Sequence, residues 1–176
     1  MRHWSPWFAS KCSALSLVAL SLVAISLVGL GSLVQSTDVQ ASPVQTLLGA
    51  WAGRGTARFE GNRSERIKCN AYYTGGGAKL NIAVRCASPS YKIEIRSKLK
   101  NSSGRLSGTW EERNFNAAGQ SSGSISEKRL DLSINGGGLT ASMAVLFDSK
   151  KQKIDVRTGG VDLKSVAIDL RRARRK

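Results

Sequence analysis

Apolar and polar side chains alternate with a period of two along most of this chain, from Trp51 to Leu170. In the clearest segment, 91–100, one aromatic and three aliphatic side chains share a face, and lysine, arginine and glutamate side chains occupy the other. A period of two is typical of a β-strand with one buried side and one side in water. The alternation therefore predicts a protein built from half-buried strands.

Short clusters of glycine, asparagine and serine, such as 75–77, 101–104 and 135–138, separate the alternating segments. Counting the segments predicts about 8–10 strands with brief connections, which favours an antiparallel up-and-down meander. Twisted strands with one apolar face bury that face by closing on themselves. The predicted fold is an all-β barrel, with a two-sheet sandwich as the alternative. An outer-membrane barrel is excluded, because the outward positions are charged and aromatic residues make up only 6% of the chain.

The N-terminal residues 1–41 have the composition of a secretory signal helix. No charged residue occurs between Lys11 and Asp38, and Val39-Gln40-Ala41 is a small-x-small cleavage site. An uncleaved membrane anchor is the alternative, because the apolar run approaches the ~20 residues that a spanning helix needs. Either way we expect the domain in the periplasm or secreted, outside the cytoplasm.

The expected domain organisation follows from these limits. Residues 42–50 are a linker or a short helical turn, residues 51–170 are the barrel, and residues 171–176 are a basic tail.

Two cysteines, Cys69 and Cys86, follow the signal segment. In an exported chain such a pair predicts one disulfide, with two buried free thiols as the alternative. A hairpin centred on 75–77 would place Cys69 opposite Ile82 or Ala83, so the bridge requires a wider loop or a bulge. A zinc site is not expected, because the only histidine is His3. No pattern in the sequence indicates a cofactor.

The chain is strongly basic, with a formal net charge of +15. Five cations lie in the last six residues: Arg171, Arg172, Arg174, Arg175 and Lys176. Such a tail attracts phosphate-bearing polymers and anionic membrane surfaces. A solvated terminus is the alternative. For an exported domain, nucleic acid is not among the expected partners.

The motif Gly49-Ala50-Trp51 opens the first strand, and Gly108-Thr109-Trp110 repeats the Gly-x-Trp pattern. Gly-x-Trp on a first strand resembles the calycin families: lipocalins, avidins and small bacterial barrel inhibitors. The resemblance implies that Trp51 plugs one barrel end and that Arg171 or Arg172, from the last strand, packs over it as a cation–π pair. The signal, the two cysteines and Trp110-Glu111-Glu112 also resemble exported bacterial proteins without an assigned activity.

Catalysis is not expected, because no histidine follows the signal to build a nucleophilic triad. Glu111 and Glu112 are adjacent, so a strand sends their carboxylates to opposite faces. Glu112 shares the parity of Trp110 and is expected to point inward, where a carboxylate needs a partner such as Arg113. Trp110 and Glu112 are therefore candidate binding residues.

Two functions remain, and both concern a ligand or protein that the sequence does not identify. The first is an exported, non-enzymatic binding barrel, either a small-molecule carrier or an inhibitor. The second is a surface-association protein that holds anionic envelope polymers through its tail and outer face. A hollow interior favours a carrier, and a filled interior favours surface binding. Gly108, Ala71 and Ala141 are small inward residues that leave some room for a ligand inside the barrel.

Overall fold

The computed structural model describes residues 42–173, which form one short helix followed by ten antiparallel strands. The elements are α1 Pro43–Leu47, β1 Gly49–Phe59, β2 Ser64–Gly76, β3 Lys79–Ala87, β4 Lys92–Ser102, β5 Arg105–Glu112, β6 Ala117–Ile125, β7 Arg129–Gly136, β8 Leu139–Phe147, β9 Lys151–Gly159 and β10 Leu163–Arg172. A 3₁₀ turn, Glu60–Asn62, joins β1 to β2. Within 42–173 no helix is both long and apolar enough to cross a membrane. The expected signal helix and the last three residues of the tail lie outside the described residues.

The ten strands close into a barrel in which every strand pairs with its neighbours in sequence and β1 pairs with β10. The closing pair runs from Trp51 opposite Arg172 to Arg58 opposite Ser165, so it extends along nearly the whole of β1. The predicted up-and-down barrel is confirmed, with ten strands, and the two-sheet sandwich is wrong.

The barrel extends beyond the predicted range 51–170, because β1 begins at Gly49 and β10 continues to Arg172. The basic tail was expected to begin at Arg171. Instead Arg171 and Arg172 belong to the sheet, since they pair with Ala52 and Trp51 of β1. Helix α1 lies in the segment 42–50, with Ser42 as its N-cap.

The hairpin between β2 and β3 differs from the predicted one. Gly76 pairs with Lys79, so the two-residue turn is Gly77-Ala78 and its centre lies about one and a half residues beyond the expected position. Gly77 has φ 57°, a left-handed conformation that glycine adopts without strain. This shift brings Cys69 directly opposite Cys86 with no bulge and no wider loop. The two residues form a disulfide with a Cα–Cα distance of 4.2 Å.

The barrel has two unlike ends. The sealed end carries α1 and the turns 77–78 and 148–150, and the open end carries the turns 60–63, 113–116 and 160–162. Towards the sealed end the inward side chains are almost completely buried: Leu47, Trp51, Tyr73, Leu80, Leu130, Val145, Ile154 and Leu170. Towards the open end Ala57, Phe59, Ile67 and Ile134 are buried, but ten other inward apolar side chains are only partly buried: Val84, Tyr91, Ile93, Ile95, Leu139, Ala141, Met143, Val156, Leu163 and Val166. We call this second set the open cup.

Candidate functional site

Trp51 and Arg172 close the sealed end. The Trp51 indole is 1% exposed, and its Nε1 donates a hydrogen bond of 2.8 Å to the Leu47 carbonyl oxygen. The Arg172 guanidinium carbon lies 4.2 Å from the centre of the indole ring, within the range of a cation–π contact. The same guanidinium donates to the carbonyl oxygens of Thr46, Leu48 and Ser149, each at 2.7 Å. These contacts join α1, β1 and the β8–β9 turn into a plug.

Of the two expected arginines, only Arg172 packs over Trp51. Arg171 has the opposite parity, opposes Ala52 in β1 and is exposed on the outer wall. Ser42 stabilises the helix that belongs to the plug, because it is the N-cap of α1 and its Oγ accepts a hydrogen bond of 3.4 Å from the Gln45 amide. Among residues 42–173, the buried side chains of Trp51 and Leu47 therefore fill this end of the barrel.

Trp110 and Glu112, the candidate binding residues, are both buried, at 2% and 7% exposure. The Trp110 Nε1 donates to the Asn135 carbonyl oxygen at 3.1 Å. The Glu112 carboxylate accepts hydrogen bonds from the amides of Glu94 at 2.9 Å and Phe115 at 2.6 Å, and from Asn114 Nδ2 at 3.1 Å. The carboxylate is therefore bound by N–H groups and not by the expected Arg113 guanidinium. Two of these groups, on Asn114 and Phe115, belong to the β5–β6 turn. Glu112 thus holds that turn in place, and a contact of Trp110 or Glu112 with a ligand stays a prediction.

The interior glycine Gly108 leaves no cavity, contrary to expectation. A Cβ atom built there would lie 1.9 Å from the Lys98 carbonyl oxygen of the adjacent strand, so backbone already fills the space. Ala71 is 0% exposed and equally enclosed. Of the three small residues expected to leave room, Ala141, in the open cup, is partly exposed and has no backbone contact of the kind that fills the space at Gly108.

Aromatic and charged side chains form the rim of the open cup next to the β1–β10 closure. Phe59 and Tyr91 stack with their ring centres 5.1 Å apart, and the Arg63 guanidinium lies 4.8 Å from the Phe59 ring centre. Arg63 also forms an ion pair with Asp162 of the β9–β10 turn. The rim therefore links the two turns on either side of the β1–β10 closure.

Three buried polar atoms have no hydrogen-bond partner among the described residues: Glu65 Oε2, Ser121 Oγ and Gln152 Nε2. Glu65 faces inward near the open end, where the nearby Ser88 hydroxyl, with smaller contributions from Ser90 and Arg63, lowers the pKa of its carboxyl group while Oε2 stays unpartnered. Ser121 is 3% exposed and follows the same inward parity on β6. Both can offer a polar contact to a molecule inside the open half, because a buried polar atom gains from any partner.

Gln152 lies deeper, where its Oε1 accepts a hydrogen bond of 3.1 Å from the Tyr73 hydroxyl. Burial raises the pKa of the Tyr73 phenol well above its ordinary value, so this pair stays neutral. In the described part of the chain no group of three or more metal-binding side chains comes together.

Two further grooves, of about 530 and 330 Å³, lie on the outer wall over β7–β10. They share the outward side chains Arg129, Ala144, Asp155 and Arg157. Arg129 is held by Asp131, with hydrogen bonds of 2.6 and 2.7 Å. The sequence pattern does not indicate this region, because it depends on which strands become neighbours.

No family model and no curated protein sequence matches the chain. Solved structures do match. The S-type phycobiliprotein lyase CPES from Guillardia theta is 10% identical, with a TM-score of 0.56 over 76% of this chain and 92% of that one. Rv2717c from M. tuberculosis is 18% identical, with a TM-score of 0.57 over 76% of this chain and 99% of that one.

The expectation that catalysis is absent was wrong, because a protein named as a lyase is built on a barrel of this architecture. A missing histidine triad therefore does not exclude chemistry in such a barrel. At identities of 10% and 18% the likeness concerns the fold and transfers no reaction. The chain has the ten-stranded, calycin-like barrel fold.

Proposed function

We propose that the protein binds an apolar small molecule in the open cup, with Glu65 and Ser121 as polar contacts. One observation carries the proposal: inward apolar side chains are covered completely at the sealed end, whereas those of the open cup are covered only partly. Covering apolar surface stabilises a complex by roughly 25 cal/mol per Å². Small-molecule sites commonly combine such a surface with a few polar groups.

The filled lower half limits the ligand's depth. Trp51, Tyr73 and Leu80 are each at most 1% exposed, and they fill the barrel interior between the open cup and the sealed end. A ligand in this position is therefore shallow, with one part against the stacked Phe59 and Tyr91 rings of the rim.

We also propose that the barrel acts outside the cytoplasm. The apolar segment within 1–41, the cleavage site before Ser42 and the Cys69–Cys86 disulfide support this. Mass spectrometry of the purified protein should give the mass of a chain that begins at Ser42. Recovery of the full-length chain from the cytoplasm would contradict the proposed location.

A neutral fluorescent probe, N-phenyl-1-naphthylamine, tests the cup, because it has no charge to follow the cations of the surface. Ala141→Phe fills the cup and should weaken probe binding about 10-fold or more. Ala144→Phe is the matched control, because Ala144 lies on the same strand but faces the outer groove.

Leu139→Ala removes apolar surface from the cup and should weaken binding without overpacking, provided that melting curves show a folded barrel. Equal binding by the wild type and both cup variants would overturn the proposal. Loss of binding in Ala144→Phe alone would assign the probe to the outer groove.

A further inference from the structure

Cations are concentrated on the outward side of β1–β4. Ten lie there: Arg54, Arg58, Arg66, Lys68, Lys79, Arg85, Lys92, Arg96, Lys98 and Lys100. The one outward acidic residue on these strands is Glu94. On β5–β8, by contrast, Arg105 and Arg129 are balanced by Glu111 and Asp131. We call the outward side of β1–β4 the cationic face.

The protein neutralises little of this charge itself. Glu94 pairs with both Arg85, at 3.3 Å, and Arg96, at 2.6 Å. The Arg96 hydrogen bond is the main reason that the pKa of the Glu94 carboxyl group is lowered. The other cations of the face have no ion pair with any residue in 42–173. Most of the face's charge therefore remains open to an external anion.

Some of these cations oppose each other across the sheet. Arg54 pairs in register with Lys68, and Lys79 pairs with Lys100. Like charges directly opposite each other on a sheet destabilise it. Arg54 also stands opposite Asp169 of β10, but Lys79 and Lys100 have no acidic residue opposite them, and an anion between them would turn their repulsion into attraction.

The cations of β4 form a row that Glu94 interrupts between Lys92 and Arg96. Lys92, Arg96, Lys98 and Lys100 have the same outward parity, and alternate residues on a strand are about 6.7 Å apart. The row runs from the open end to the sealed end, a distance of roughly 27 Å. Lys79 of β3 widens it at the sealed end. A row of this shape fits a linear polymer that carries anionic groups at regular intervals.

We propose that the cationic face, centred on the β4 row, binds a linear phosphate-bearing polymer. The site is separate from the open cup, because its side chains point away from the barrel interior. A bilayer fits the face less well, since the wall is convex. Tyr72, at 40% exposure, is the one large apolar side chain exposed on β1–β4, and no group of such side chains is there to enter a membrane.

Inorganic polyphosphate is the probe, with protein purified after expression of the full-length chain. Lys92→Ser/Lys98→Ser/Lys100→Ser removes three cations from the row. The matched control, Lys151→Ser/Lys153→Ser/Arg157→Ser, removes three outward cations from β9 and lowers the net charge equally. All six side chains are exposed, so both variants should keep the wild-type melting temperature within a few degrees.

The β4 variant should bind polyphosphate at least 30-fold more weakly at 0.15 M salt, and the control less than 3-fold more weakly. The slope of log K against log salt should become shallower by about 2 in the β4 variant only, since each lost phosphate contact contributes about 0.7. Truncation after Ala173 should change the affinity less than 3-fold, because the face and not the tail provides the contacts.

Equal losses in the two triple variants would show a response to net charge and overturn the proposal. So would a large loss on truncation, or binding of phosphatidylglycerol vesicles without binding of polyphosphate. Binding of N-phenyl-1-naphthylamine should be the same in all these variants, so failure at this face is distinguishable from failure at the open cup.

Discussion

Replacing both half-cystines, in the variant Cys69→Ala/Cys86→Ala, should lower the melting temperature by about 11 °C. The disulfide joins residues 17 apart in sequence, which in the chain-entropy relation corresponds to about 3 kcal/mol at 25 °C. A domain of about 130 residues unfolds with an entropy of roughly 270 cal/mol/K, so each kcal/mol shifts its melting temperature by about 3.7 °C. The bridge lies between paired strands, so it mainly restricts the unfolded chain.

The assay is thermal unfolding followed by circular dichroism at 218 nm, with and without reductant. Cys69 is 2% exposed, so reductant acts mainly on the unfolding protein, and the double variant avoids this dependence. Reductant should lower the wild-type transition and leave the double variant unchanged. A double variant that melts within 2 °C of the oxidised wild type would refute the reasoning, because it would mean that the hairpin holds residues 69–86 together without the bridge.

Two further predictions concern the sealed end. Arg172→Ala removes three hydrogen bonds to carbonyl oxygens and the contact with the indole, so it should lower the free energy of unfolding by about 2 kcal/mol and the melting temperature by about 7 °C. Arg171→Ala, which changes the outward neighbour, should lower the free energy of unfolding by less than about 0.5 kcal/mol. Equal melting temperatures of the two variants would contradict the role of Arg172 in the plug. Asp148 accepts hydrogen bonds from the amides of Lys150 and Lys151 at 2.6 and 2.8 Å, chiefly the first of which lowers the pKa of its carboxyl group below 3.8. Its stabilisation is complete above pH 3.8 and lost as the pH falls through the folded-state pKa, so the melting temperature of Asp148→Asn should fall less steeply than that of the wild type between about pH 4 and 2; parallel curves would count against it.

The barrel was predictable because its signal is local. Alternation in 91–100 identifies β4 and its buried face without knowledge of its neighbours, and nine similar segments with short connections leave few ways to cover one apolar face. The parity of Val166, Ile168 and Leu170 also extends to Arg172, so the choice of Arg172 over Arg171 could have been made from the sequence.

Register was not predictable to one residue. Three consecutive glycines allow several turn positions, and only the pairing of Gly76 with Lys79 decides that Cys69 faces Cys86. The partners of Glu112 depend on the path of the turn after β5, for which the sequence has no comparable signal.

The cationic face could be predicted from the sequence only in part. The outward parity of each lysine is visible in the sequence, but the opposition of Lys79 and Lys100 depends on the strand register. The row on β4 could have been found from parity alone, whereas its neighbours on β1–β3 could not.

Both ends of the described chain lie at the plugged side of the barrel. Ala173 donates a hydrogen bond of 2.9 Å to the Ala50 carbonyl oxygen, and the Arg172 side chain donates one to the Thr46 carbonyl oxygen in α1. A tag, surface linker or fusion partner joined directly before Ser42 or directly after Ala173 therefore starts some 25–30 Å from the rim formed by Phe59 and Tyr91, roughly the length of an eight- or nine-residue strand. A barrel immobilised through Ser42 or through Ala173 would present its open end to solution, whichever of these two residues holds it.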